Sequence, residues 1–227
     1  MAKKTKNKTY VARDPRALGQ AVVLWLYVRL ASSACNIIAD VFQLRGLSRF
    51  PSDTPVSMSE TLPGMETADL VSALTGFGLL ATMLVSGVLT LKWIYRVTMN
   101  SHTLASGLNV SPPWSIGWYF VPFANLYKPF QALNDAWCVS LSPESWRVQD
   151  TPPVLRWWWG LWIVTSMLDN ASFRLQLRAK EVGLSLFTAG LDLVSDTLWI
   201  ALCLVLIRIV RRLSAQQSDA LSMKTFD

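Results

Sequence analysis

Ionisable side chains inside long apolar runs are the residues of this sequence with the clearest capacity for chemistry. Arg29 lies 11 residues into the first run, and Asp192 and Asp196 lie one helical turn apart in the last. A charge at the centre of a membrane costs from about 3 to above 10 kcal/mol, so such residues usually pair inside a helical bundle. We therefore expect Arg29 to contact one of these two aspartates.

A polar stripe extends from Arg29 along the same predicted helix. Asn36 and Asp40 follow it at helical spacing and share one helix face. Asp169, in the third apolar run, is expected to meet this stripe. The predicted intramembrane polar network comprises Arg29, Asn36, Asp40, Asp169, Asp192 and Asp196. Two interpretations stay open: a polar pathway or proton relay through the bundle, or an ion-pair and hydrogen-bond network that fixes helix register.

Residue types that support catalysis or metal binding are scarce. His102 is the only histidine, so paired histidines cannot ligate haem, and the three cysteines are too far apart to suggest a disulfide framework or a zinc site. No nucleophile-elbow, phosphate-loop or dinucleotide motif occurs. We predict a non-enzymatic protein without catalytic residues, metal or cofactor of its own. Bound lipid or a pigment of a neighbouring subunit is compatible with this prediction.

The composition is that of a membrane protein. Of the 227 residues, 52% are hydrophobic and 16% are charged, whereas about a quarter are charged in ordinary soluble domains. Four apolar runs approach or exceed the roughly 20 residues that a helix needs to cross a bilayer. These runs are 18–44, 70–91, 154–172 and 182–207. The sequence therefore predicts an all-α integral membrane helical bundle of about four transmembrane helices, within residues 18–213.

The net charge of +6 reports on topology and does not indicate a nucleic-acid-binding protein. Apart from Arg29, the lysines and arginines lie at helix ends, in connections and at the termini, which places the basic tail 1–17 and the polar tail 214–227 in the cytoplasm. The proline- and acid-rich connection 45–69 is then external. In this topology the basic turn 174–180 is also external, against the same rule.

Residues 114–140 have too short an apolar core to cross a membrane. That core, Trp114 to Leu126, has about half the required length, and Pro122 interrupts it. Its tryptophans and tyrosines are typical of the membrane–water interface. We predict a broken helix on the cytoplasmic side, either re-entrant or lying on the membrane surface.

The second apolar run is rich in small residues, among them Gly76, Gly78 and Gly87. Small residues let helices approach closely where lipid offers no hydrophobic drive for helix pairing. This run therefore predicts close packing of a neighbouring helix against the second span.

A distinctive order of residues begins at Trp93. It continues through Asn100, a Gly-Trp-aromatic-aromatic-x-Pro motif, an Asn-Leu-aromatic-basic-Pro motif and three consecutive tryptophans to Gln217. The candidate interface residues within this order are Trp114, Gly117, Trp118, Pro122, Asn125, Lys128, Pro129, Trp157, Trp158 and Trp159. The order resembles a bacterial family of small multi-pass membrane proteins, the domain of unknown function 4328. The resemblance covers a little over half of the chain and implies a helical fold in the bacterial cytoplasmic (inner) membrane, with no assigned activity.

The leading functional hypothesis is an accessory or scaffold subunit that binds another membrane protein. Eight of the 11 tryptophans lie between Trp114 and Trp162, more than interfacial belts require, and aromatic surfaces suit contacts with a neighbour. The expected partners are membrane lipids and another membrane protein or a second copy of the chain, and no nucleic acid. The alternative is a small multimeric ion or small-solute channel or transporter, with a polar core at Arg29, Asp192 and Asp196.

Overall fold

Helices make up nearly all of the regular structure. The computed structural model describes residues 10–57 and 61–226. Lys3, Lys4, Lys6 and Lys8 of the basic N-terminal tail lie outside these ranges. The helices are α1 (Arg16–Leu47), α2 (Glu66–Leu104), α3 (Pro112–Gly117), α4 (Lys128–Leu141), α5 (Pro153–Gln176) and α6 (Val182–Phe226). No β-strand occurs in the described ranges, which confirms the all-α prediction.

Three of the helices are long and apolar enough to cross a membrane: α1, α2 and α6. The predicted third span, 154–172, corresponds to α5, which is 24 residues long but less apolar. Four tryptophans and the pair Asp169 and Asn170 interrupt its aliphatic residues. The described helices therefore confirm a membrane-type helical protein with three candidate spans.

Two helices run well beyond their apolar segments. α2 continues past residue 91 to Leu104, and α6 continues past residue 207 to Phe226, so the predicted C-terminal tail is helical up to that residue. In the extension of α6, Ser214, Gln217 and Ala220 are buried. Packing of that face accounts for the longer helix, which apolar length alone does not predict.

The chain divides into two compact units. Unit 1 comprises Met1–Val23, Val88–Arg156 and Arg208–Asp227, and unit 2 comprises Leu24–Gly87 and Trp157–Ile207. The residues of the predicted re-entrant or interfacial segment belong to unit 1, and the predicted polar network belongs to unit 2.

Within unit 1, the predicted segment 114–140 is broken, as its prolines suggest. α3 is followed by two 3₁₀ turns, Trp118–Phe120 and Ala124–Leu126, and then by α4. Pro129 lies in the first turn of α4, where its missing N–H costs nothing, so it starts a helix and does not interrupt one. α4 has 14 residues, nine of them buried, and is too short to span a membrane.

Within unit 2, the connection between α1 and α2 is folded against the start of α6. Leu47, Met65 and Val182 form a buried apolar cluster. The Val182 amide donates to the Thr54 carbonyl at 3.0 Å, and the Val56 amide donates to the Lys180 carbonyl at 2.9 Å. This predicted external loop is therefore a packed structure in its described part, whereas its acidic residue Glu60 lies outside the described ranges.

Candidate functional site

Arg29 is buried in unit 2, but its partners differ from the predicted ones. Its Nη1 donates to the Leu79 carbonyl at 3.1 Å, and its guanidinium lies 5.0 Å from the centre of the Trp199 ring. It forms no ion pair with Asp192 or Asp196, which corrects the sequence-based contact. The physical reason is that a planar guanidinium can stack on an aromatic face, while both carboxylates accept hydrogen bonds from neutral side chains.

Asn36 joins two of the predicted acids. Its Nδ2 donates to Asp196 Oδ2 at 2.6 Å and makes longer contacts of 3.4 and 3.5 Å with the two oxygens of Asp40. α1 and α6 are thereby linked through a polar bridge at the middle of the predicted network. The structure brings these three members of the predicted network together through the Asn36 amide and not through Arg29.

Asp169 bonds to α6 and also interacts electrostatically with Arg29, the first residue of the polar stripe of α1. Ser195 Oγ donates to Asp169 Oδ1, and Trp199 Nε1 donates to Asp169 Oδ2 at 2.9 Å. Because the ring of Trp199 also lies beside Arg29, this tryptophan connects the buried cation to a carboxylate. One turn further along α5, Ser172 Oγ donates to Asp192 Oδ1 at 2.5 Å.

An acidic cavity of about 260 Å³ adjoins this network within unit 2. Its lining residues come from α1, α2, α5, α6 and the folded connection between α1 and α2. They are Asp40, Gln43, Leu47, Val56, Ser57, Thr61, Leu62, Met65, Asp69, Ser72, Gln176, Ser185, Thr188, Ala189 and Asp192. Among these described residues, three are carboxylates and none is basic. No group of three or more metal-ligating side chains is arranged to hold a metal ion within the described ranges.

Asp69 and Gln43 are cavity residues that the sequence did not single out. Gln43 Nε2 donates to Asp69 Oδ1 at 3.1 Å, and Ser72 Oγ donates to Gln43 Oε1 at 3.3 Å. The sequence assigned Asp69 to an external loop, whereas it lies in the first turn of α2. Two spacings could have identified this cluster. Gln43 follows Asp40 by three residues at the end of the first apolar run, and Ser72 follows Asp69 by three residues at the start of the second.

Unit 1 contains a second buried polar cluster, which we call the Asn100 hub. Asn100 exchanges hydrogen bonds with the backbone of Arg13, and its Nδ2 also donates to Gln217 Oε1 at 3.0 Å. Gln217 Nε2 donates to the Val97 carbonyl at 2.8 Å and to Ser101 Oγ at 3.1 Å. Asn100, Ser101 and Gln217 are fully buried. The hub thus joins the N-terminal segment, α2 and α6 through satisfied hydrogen bonds.

Trp93 adds a further link between α2 and α6. Its Nε1 donates to Ser214 Oγ at 2.9 Å, and the indole is fully buried. Gly19 on α1 approaches the same serine so closely that a Cβ at that position would lie 2.6 Å from Ser214 Oγ. Trp93, Asn100 and Gln217, which are part of the distinctive residue order, therefore have structural roles in unit 1.

The candidate interface residues differ in exposure, from buried through partly exposed to exposed. Trp114 and Trp118 pack with ring centres 4.5 Å apart, and Gly117 permits this because a Cβ there would lie 3.1 Å from the Trp114 ring. Lys128 donates to Gln131 Oε1 at 3.1 Å. Pro122, Asn125 and Pro129 belong to the turns around the start of α4, and in unit 2 Trp157 is exposed while Trp158 and Trp159 are buried. The structure does not bring this whole set into one surface.

Asp135 on α4 is a buried acid that the sequence did not single out. Its Oδ2 accepts hydrogen bonds from the Asn109 amide at 3.2 Å and from Asn109 Nδ2 at 3.0 Å. Burial raises the pKa of this carboxyl above its usual range, against the opposing effect of the two hydrogen bonds. It lines a polar cavity of about 480 Å³ together with Asn134, Arg147 and Gln149.

Comparison with known proteins gives a family and no activity. Residues 59–215 match the model of a family described as Domain of unknown function (DUF4328). Searches of curated proteins and of solved structures each found no match. The matched range begins before α2 and so is longer than the resemblance noted from Trp93 onward, while α1 and Gln217 lie outside it. With more than half of its length matched, the chain belongs to the DUF4328 family.

Proposed function

We propose that the chain is a four-span protein of the bacterial cytoplasmic membrane that acts as an accessory or scaffold subunit, without catalytic activity, by binding a helix of another membrane protein. The proposed spans are α1, α2, α5 and α6, with both termini in the cytoplasm. The fourth span is supported by the 24-residue length of α5 and by its hydrogen bonds to α6. The binding role is supported by the exposure of α2.

α2 is the least covered of the three apolar helices. In its most apolar 18-residue window, 11% of residues are buried, compared with 28% in α1 and 39% in α6. Gly76 and Gly87 are 11 residues apart and therefore point in directions only about 20° apart around the helix. No atom lies within 4 Å of a Cβ built at either glycine. Together with the exposed Leu80 and Met83 between them, they form what we call the open face of α2.

The open face fits a protein helix better than lipid. Lipid contact requires no small residues, whereas glycine at a helix interface lets a second backbone approach closely. The close packing that the small residues predict has no partner at Gly76 or Gly87 within the described chain. We therefore assign that packing to a helix of another protein, with a second copy of this chain as the competing occupant.

The tryptophans contribute less to this proposal than their number suggests. Of the eight tryptophans between residues 114 and 162, Trp137, Trp158 and Trp159 are buried, and only Trp114 and Trp157 are exposed. Most of the aromatic area is used in packing within each unit. The support for a partner therefore rests on the open face of α2.

We expect the double substitution Gly76→Leu and Gly87→Leu to remove the partner without harming the protein itself. Both side chains enter open space, so the thermal stability of the purified chain should not fall. The measurement is extraction in mild detergent at native expression level, followed by sizing and mass spectrometry of co-purifying proteins. Gly160→Leu is the matched control, because a Cβ there also meets nothing within 4 Å but lies on α5.

Two results of this experiment decide the proposal. A stoichiometric membrane protein that accompanies the wild type and the control, but not the double variant, supports the accessory role. If the wild type purifies as a partner-free homo-oligomer, or if the double variant retains the partner, the proposal is wrong.

The acidic cavity favours a second candidate function, the binding and passage of a small cation. Asp40, Asp69 and Asp192 line the cavity without a basic neighbour, and Asn36 connects Asp40 to Asp196 beyond it. Carboxylates that face a polar cavity inside a helical membrane protein are typical of ion pathways. Four spans form a small pore at most, so this candidate requires an oligomer.

We expect Asp40→Asn with Asp192→Asn to abolish cation flux if the second candidate is correct. The substitutions remove two of the three carboxylates that face the cavity and keep their shape. Flux is measured in proteoliposomes with an ion-sensitive dye, and Asp53→Asn, at an exposed residue of unit 2, is the control. A correctly folded double variant with unchanged flux, or a wild type no faster than empty liposomes, excludes this function.

A further inference from the structure

Unit 1 carries an exposed apolar turn between α3 and α4. We call residues 118–127 the aromatic turn, since Phe120 in its first 3₁₀ segment and Phe123 and Tyr127 on either side of the second are exposed. Phe120 is 76% exposed and Phe123 is 87% exposed, and Leu126 is about half exposed. Such neighbouring large apolar side chains mark an interaction surface and not an ordinary soluble turn.

The backbone at the tip of this turn is strained at Phe123, a residue whose side chain is exposed. Phe123 has φ of 61° and ψ of −40°, a conformation that a bulky residue rarely adopts. The turn is closed on both sides by hydrogen bonds from the Asn125 amide to the Val121 carbonyl at 3.0 Å and from the Leu126 amide to the Phe123 carbonyl at 3.2 Å. Because the ring itself is exposed, contacts within the chain do not offset this strain.

The charge distribution indicates what covers the turn. The described residues of unit 1 include 11 lysines and arginines and 5 acids, whereas those of unit 2 include 6 lysines and arginines and 8 acids. Lys128 directly follows the turn, with its ammonium 5.8 Å from the centre of the Tyr127 ring. Aromatic side chains beside basic ones match the interfacial layer of a bilayer, where rings lie at headgroup depth and cations attract anionic lipid.

We propose that the aromatic turn inserts Phe120 and Phe123 into the interfacial layer of a bilayer that contains anionic phospholipid. This inference rests on the proposed membrane topology and is independent of the partner on α2. The inserted rings hold unit 1 against the membrane, while the excess of basic residues in unit 1 favours anionic headgroups over neutral ones.

Photo-crosslinking of the full-length chain tests the inference directly. The substitution Phe123→p-benzoylphenylalanine places a photoreactive ring at an exposed position, so the protein should fold as the wild type does. The variant is reconstituted into phosphatidylcholine vesicles with or without phosphatidylglycerol and irradiated, and adducts at residue 123 are identified by mass spectrometry. Val148→p-benzoylphenylalanine is the control, because Val148 is 81% exposed in unit 1 but lies outside the turn.

We expect a phospholipid adduct at residue 123, a several-fold higher yield in vesicles with phosphatidylglycerol, and little lipid adduct at residue 148. Absence of a lipid adduct at residue 123, or equal yields at the two positions, overturns the insertion. Equal yields with and without phosphatidylglycerol overturn the preference for anionic lipid. In native membranes, a crosslink from residue 123 to a protein instead of lipid also overturns the proposal. None of these readouts depends on whether Gly76→Leu and Gly87→Leu remove a partner.

Discussion

We expect Gln217→Ala to lower the free energy of unfolding by about 2–4 kcal/mol. Gln217 is fully buried, and its amide makes three hydrogen bonds, to Val97, Ser101 and Asn100. The substitution removes all three, leaves an Nδ2 hydrogen of Asn100 without its acceptor and creates a cavity. The measurement is the unfolding of purified protein in mixed micelles with increasing denaturing detergent, followed by circular dichroism.

The neighbouring glutamine provides the control for this prediction. Gln216 is partly exposed, and its Oε1 has no hydrogen-bond partner among the described residues. Gln216→Ala should therefore change stability by less than about 0.5 kcal/mol. Equal losses for the two variants would show that the Asn100 hub does not stabilise the fold, and that the effect is general to this part of α6.

Apolar run length predicted where the helices lie but not where they end. The runs 70–91 and 182–207 correspond to α2 and α6, yet both helices continue into unit 1. Their extensions are held by the Asn100 hub, which joins residues more than 100 positions apart in sequence. No local pattern reports such a contact, so the polar tail predicted at 214–227 is helical up to Phe226.

Helical spacing predicted which residues of the polar network share a face but not which atoms bond. Asn36 and Asp40 lie together as their spacing requires, and Asp196 joins them. The partner of Arg29 was not predicted, because an aromatic ring competes with carboxylates for a guanidinium and the sequence does not reveal which lies nearer. The bonds of Asp169 to the serine and the indole of α6 were likewise not predicted from its spacing.

Arg29 lies outside the part of the chain that the family model matches, whereas most of the acidic residues near it in unit 2 lie inside that part. Asp69, Asp169, Asp192 and Asp196 lie within residues 59–215, whereas Arg29 belongs to α1, which precedes that range. Of the basic residues of unit 2, Arg29 alone is buried, and the other five are exposed. The charge balance inside unit 2 therefore depends on a helix that the family model does not cover.

We expect Arg29→Met to destabilise the protein by about 2–4 kcal/mol, because it removes the buried cation that interacts with Asp169 and Asp196 and ends the stacking on Trp199. Methionine keeps much of the side-chain volume, so the loss reports charge more than packing. Arg174→Met, at an exposed position of α5, should change stability by less than about 0.5 kcal/mol. The measurement is the free energy of unfolding of the wild type, Arg29→Met and Arg174→Met in increasing denaturing detergent.

Adding Asp196→Asn to Arg29→Met should recover at least about 1 kcal/mol of that loss. Arg29 and Asp196 attract each other electrostatically although they form no ion pair, so the carboxylate is costly once the cation is gone. Asparagine can still accept the hydrogen bond that Asn36 donates to residue 196. The double variant then has one buried carboxylate fewer and should unfold later than Arg29→Met alone. Strictly additive effects of the two substitutions would mean that Asp196 does not contribute to the stabilisation by Arg29, which then comes from its contacts with Trp199 and the Leu79 carbonyl.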